Sequence, residues 1–239
     1  MSMKPVNRLL TPLSLTAVVI TIERVSPTTR IILPPSDFLR LHEVVQMGVI
    51  TAFSVLVTFL LFRVLSGNFL SLQDERGTIL GMVFFLGTYF YATGNGSHEV
   101  ASYLLNQYCG SGGHGRGICG SLFVDDYYFG NIAYFLGLGL STLALILLEL
   151  RRPDETYDRG DLRVTLANGG VLALTFIAYD AFDRVTVGLI ATIVYAVVFG
   201  LLLLRSNVRY RALPFTLYSA VGFTLAALVA IPIRLVAAL

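Results

Sequence analysis

Long apolar runs separated by short polar stretches dominate the chain. Six of them are Val44 to Leu65, Ile79 to Thr93, Tyr128 to Leu150, Val164 to Phe182, Val185 to Leu204, and Leu213 to about Ile233. Crossing ~30 Å of hydrocarbon takes about 20 apolar residues in a helix, so this pattern predicts an all-α polytopic bundle. The second run is the shortest. It meets Gly94-Asn95-Gly96-Ser97-His98-Glu99 and becomes apolar again as far as Leu105. That pattern predicts a span that emerges near Ser97 and continues as an interfacial turn or two.

The first forty residues read differently. Leu9 to Ile22 is apolar but short, with Pro12 inside it. As a helix it would reach only ~21 Å. A seventh span, an uncleaved signal-like segment and an interfacial element all stay open. Thr16 to Val25 also alternates enough for a strand, with Ser26-Pro27-Thr28-Thr29 as its turn. The expected organisation is therefore an N-terminal segment over 1–40 followed by a transmembrane bundle over 41–239.

Composition agrees. Of 239 residues, 55% are hydrophobic and only 13% charged, against about 25% charged in an average soluble domain. Mean hydropathy is +0.74. Lipid is the solvent that accommodates so much apolar side chain. A net charge of +2, spread along the chain, gives no electrostatic footprint for nucleic acid. The expected partners are membrane lipid, with other membrane proteins or a second copy of the chain as further candidates.

Following the six spans in order sorts the polar residues onto two sides. One side collects Arg63, Arg76, Arg151, Arg152, Arg159, Arg163, Arg205, Arg209 and Arg211. Basic residues near span ends mark the cytoplasmic face. The sequence therefore predicts a cell-membrane protein with these loops inside and the C-terminus outside. Cys109 and Cys119 flank a glycine-rich loop on the opposite, outer side. Their spacing suits a disulfide, and an oxidising exterior would preserve it.

The outer side also holds all three histidines, His42, His98 and His114, and the acids Glu43, Glu99, Asp125, Asp126, Asp180 and Asp183. Ionisable groups beside span ends are costly unless paired or facing a cavity. Imidazole with carboxylate suits a divalent metal or proton transfer. The strongest candidates are His42 and His98 as ligands or bases, with Glu99 and Asp126 as carboxylate partners; His42, His98 and Glu99 are the metal-ligand candidates. Each has a plain alternative. His42-Glu43 could snorkel to headgroups, Asp125-Asp126 could cap a helix, and Asp180 could pair with Arg184 one turn on. The triplets His42-Glu43-Val44 and His98-Glu99-Val100 begin like the zincin helix, yet each lacks the second histidine that pattern requires. The late histidine pair of the intramembrane zinc hydrolases related to alkaline ceramidase is missing too, since no histidine follows His114.

Three functions follow as expectations. One is a His/carboxylate site, metal-bound or proton-transferring, acting on a lipid or amphipathic substrate. The second is a non-catalytic subunit of a membrane assembly. The third is an ion- or proton-coupled transporter using Asp180 and the break in the second span.

Overall fold

The computed structural model describes residues 4–35, 37–109, 117–154, 156–182 and 186–237. These form an all-α bundle with seven helices long and apolar enough to cross a membrane. In chain order they are α1 (Pro5–Glu23), α2 (Leu41–Leu65), α3 (Glu75–Tyr108), α4 (Ile118–Arg151), α5 (Arg159–Phe182), α6 (Val187–Arg205) and α7 (Pro214–Ala237). The chain is a multi-pass membrane protein.

The seventh crossing is the N-terminal one, so the strand reading of Thr16 to Val25 is corrected. Pro5 supplies a preset φ at the first helical position, where no N–H is needed. Pro12 removes one internal hydrogen bond, yet the helix runs on to Glu23. What holds α1 is tertiary. Leu10 is fully buried. The Asn7 amide donates to the Asp161 carbonyl at 2.9 Å and accepts from Thr165 Oγ1 at 2.8 Å. These bonds tie α1 to α5, while its other flank packs on α2.

The expected break in the second span is absent as well. α3 is one helix of 34 residues, about 51 Å long. Its glycines serve the approach of a neighbour. A Cβ on Gly94 would sit 2.2 Å from the Tyr134 backbone nitrogen. One on Gly137 would sit 2.1 Å from that of Tyr91, and one on Gly87 2.6 Å from that of Ser141. Only glycine lets α3 and α4 lie this close along their antiparallel course. The two make the most extensive pairing in the molecule, with α5·α7 and α6·α7 next. Past the bundle the same pair is joined by the Cys109–Cys119 disulfide, as the loop spacing suggested.

Contacts confirm that the helix ends alternate between two faces. At one face, Arg151 pairs with Asp74 at 2.6 Å, Lys4 reaches Thr156, and the Asp154 amide donates to the Ala212 carbonyl. This is the arginine end. At the other, the histidine end, α1, α2, α3 and α4 meet through their ionisable residues.

Buried carboxylates mark both ends. Glu149, near the arginine end of α4, is 2% exposed. It accepts from the Phe215 amide at 2.8 Å, the Thr216 amide at 2.7 Å and the Thr216 hydroxyl at 2.6 Å. Those are the first turn of α7, whose N–H groups have no partner within their own helix. An acid from one helix thus caps the N-terminus of another, where the macrodipole favours negative charge.

Candidate functional site

At the histidine end, α1 finishes on Glu23, and the 3₁₀ turn Pro27–Arg30 folds back over it. The hydroxyls of Ser26 and Thr28 both donate to Glu23 Oε1. Its other oxygen meets His42 Nδ1. The far side of the same ring, Nε2, lies 3.7 Å from Glu99 Oε2 on α3. His42 is therefore an imidazole between two carboxylates from two other helices.

His98, one residue before Glu99, has its own acid. Its Nδ1 donates to the Asp126 carbonyl at 2.8 Å, and the carboxylate oxygen Oδ1 lies 3.0 Å away as a charge neighbour without hydrogen-bond geometry. A carbonyl can only accept, so the proton sits on Nδ1 and Nε2 is left to face other chemistry. Gly130 makes this contact reachable: a Cβ there would lie 2.9 Å from the His98 backbone nitrogen. The Asn131 amide donates to the same Asp126 carbonyl at 2.9 Å and accepts from the Tyr179 hydroxyl at 2.7 Å. Arg24 lies over the Tyr179 ring, 5.2 Å from its centre.

The backbone is irregular just beyond His42 and at the partner of His98. α2 passes through a π-helical turn at Val45–Ile50, directly after His42 and Glu43. α4 does so at Asp125–Phe129. Such turns insert one extra residue and re-aim the side chains beside them, which is why they recur at functional sites. The capping reading of Asp125 and Asp126 is thereby corrected. Both lie inside α4, where Asp125 accepts from the Ser97 hydroxyl at 2.5 Å and Asp126 holds His98.

Glu43 is buried to 1% exposure, which replaces the snorkelling reading. Arg40 donates to its Oε1 from Nε at 2.8 Å, and its Oε2 has no hydrogen-bond partner among the described residues. Asp180 is buried on α5, and its carbonyl accepts from Arg234 on α7 at 2.9 Å. His114, Asp183 and Arg184 lie outside the described residues, and with them the expected Asp180–Arg184 pair.

These groups surround a vestibule of about 430 Å³ lined by Arg24, His42, His98, Glu99, Asp126 and Tyr179 among others. Directly beneath lies a chamber of about 120 Å³ that shares His98, Glu99 and Asn131 with it. A third, of about 110 Å³, shares Ala17, Ile20, Tyr134 and Phe176 with the second. Polar groups thus crowd the mouth, and the surface below is mostly carbon.

No family model, curated protein or solved structure matches this chain. Its chemistry is read from the site alone.

Four of the residues singled out by sequence converge: His42, His98, Glu99 and Asp126. The route differs from the one expected. The expected route was side-by-side packing of α2 and α3, but α2 meets α3 only lightly and the main partner of α3 is the next span, α4. Among the described residues, no group of three or more His, Cys, Asp or Glu side chains is gathered as a metal ion would need. Sequence reasoning missed Glu23, Arg24 and Gly130. Two charged residues ending an apolar run at Ile22 were the available signal for the first two.

Proposed function

We propose that this chain is an intramembrane acid–base catalyst acting on a lipid or other amphipathic molecule. The observation that carries the reading is the pairing of each imidazole with a carboxylate at the mouth of a cavity that turns apolar beneath. A carboxylate on Nδ1 fixes the ring and supports its cationic form, as the third member of a catalytic triad does. In the roles we assign, Glu23 orients His42, Asp126 orients His98, and Glu99 with the free Nε2 of His98 moves protons to and from the bound molecule. Arg24 and Tyr179 form the polar rim. Helix length supports a position at the headgroup level. About 20 residues of α3 from Ile79 reach His98, and the rest of the helix stands beyond the hydrocarbon.

The arginine excess supports an orientation with this end on the outer face of the cell membrane. Transport draws less support, because the broken span that motivated it is one continuous helix.

The test is chemical. Protein reconstituted in vesicles is incubated with a total polar-lipid extract, and products are followed by mass spectrometry. Wild type should convert at least one species, while Glu99→Gln and His98→Asn should slow it about 10²-fold or more. Conversion at equal rates by all three, or by none, would sink the reading.

A further inference from the structure

We infer that the molecule acted on is a single-chain amphiphile, its head in the vestibule and its tail threaded down a path walled by α1, α2, α3, α4, α5 and α7; the inference rests on the acid–base reading above. The first argument is shape. Each lower chamber, at about 120 and 110 Å³, is smaller than the ~150 Å³ cavity that holds one benzene ring. Stacked end to end, their combined volume suits one chain better than two. The depth follows from α1. Arg24 lines the mouth and Leu13 the lowest chamber, a drop of eleven helical residues or about 16 Å.

The second argument concerns what the walls present. Many residues of the lowest chamber carry hydroxyls, which would suit a water file or a proton wire if they faced inward. Four of them are committed to carbonyls of their own helices. Thr16 donates to the Pro12 carbonyl at 2.7 Å, Ser54 to Ile50 at 2.9 Å, Thr58 to Ser54 at 2.7 Å and Thr88 to Phe84 at 3.0 Å. Each bond folds the oxygen back onto its own helix and turns carbon toward the cavity. An apolar cavity stays dry, and in a membrane the apolar filler at hand is a hydrocarbon chain.

The third is the junction between the two chambers. Ala17, Ile20, Tyr134 and Phe176 belong to both walls. Ala17 is the small member, so a large side chain there would plug the path about 10 Å below the rim. It would do so without touching a histidine or a carboxylate.

The probe is a monoacyl amphiphile with a diazirine at its tail end, loaded onto detergent-purified full-length protein and mapped by peptide mass spectrometry. Glu99→Gln is run beside wild type, so that binding is read with turnover slowed. In both, the label should land on the walls formed by Leu13, Leu145 and Phe215. Ala17→Phe should cut that labelling tenfold or more. Leu15→Phe, on the same helix but facing outward (56% exposed), should leave it intact. If Ala17→Phe does not fold, Phe176→Ala takes its place, and should admit a methyl-branched tail that wild type excludes. Undiminished labelling in a folded Ala17→Phe, or the same tail preference in Phe176→Ala, overturns the inference. So does labelling confined to outward-facing residues such as Leu15, or a two-chain probe reaching the lowest chamber equally well. Label in the chamber with no lipid conversion by wild type would leave the tail path standing and end the catalytic reading. Conversion of two-chain lipids with no label there would do the reverse.

Discussion

Glu149 and Glu99 are both buried carboxylates of the bundle, and their surroundings differ in kind. Glu149 accepts three hydrogen bonds, all from the start of α7. Glu99 faces an imidazole at 3.7 Å across the edge of a cavity. Burying a charge without full hydrogen bonding is expensive, and removing its partners is more so. Where both oxygens are held by donors, the acid holds the fold together. Where the acid borders open space beside a histidine, its unspent capacity points to chemistry. The contrast teaches that burial alone does not identify a site, whereas the degree of satisfaction begins to.

The sharpest way to break this comparison is Glu149→Ala. Two backbone donors at the start of α7 and one hydroxyl would lose their acceptor, at a cost of about 3 kcal/mol or more. Thermal unfolding in detergent should report a fall of several degrees, with Glu149→Gln in between because it keeps one acceptor oxygen. An unshifted Tm in the alanine variant would end the structural assignment. Glu99→Gln should behave oppositely, with stability within about 0.5 kcal/mol of wild type and conversion of substrate largely lost. A Tm fall as large as that of Glu149→Ala would show the two acids to be of one kind.

Asp126→Asn should be milder. The main-chain carbonyl still accepts from His98 Nδ1, so the ring keeps its direction and loses only the charge behind it. Losing the carboxylate charge behind a histidine costs roughly 10–100-fold. The steady-state rate at saturating lipid is the readout, and an effect equal to that of His98→Asn would mean that the carboxylate does more than support the ring's charge.

The smallest effect belongs to the arginine end. Asp74 is exposed, and its hydrogen bond to Arg151, aided by the Gly77 amide, holds its carboxyl below the usual range. A depressed carboxylate stabilises the fold above its ordinary pKa and ceases to as pH falls through the lowered value. Wild type should therefore exceed Asp74→Asn slightly in Tm at neutral pH, and the gap should close below about pH 4. Raised salt should narrow it as well. A gap that widens in acid would contradict the pairing.

The crossings could be read in the sequence because hydropathy is a property of each run by itself. Residues 9–22 could not be resolved the same way. Their length and Pro12 argued against a span, and what overrides both is the set of bonds from Asn7 to α5, a partner some 150 residues away. The Gly94-Asn95-Gly96 stretch misled for a related reason. Glycine reads as a break until the opposing backbone is known, and here that backbone is α4. At the site, His42, His98, Glu99 and Asp126 stood out because ionisable groups beside apolar runs are rare. Glu23 escaped because its role depends on a turn that folds back over the end of α1. Glu149 escaped because two of its three partners are backbone amides, which leave no mark on the residues around them.

An odd number of crossings has a further consequence for how the molecule meets its surroundings. Seven crossings among the described residues leave the start of α1 with the arginines and the end of α7 with the histidines, on opposite faces of the membrane. A reporter domain fused at one terminus would share the water that bathes the vestibule. The same domain at the other terminus would sit behind the barrier.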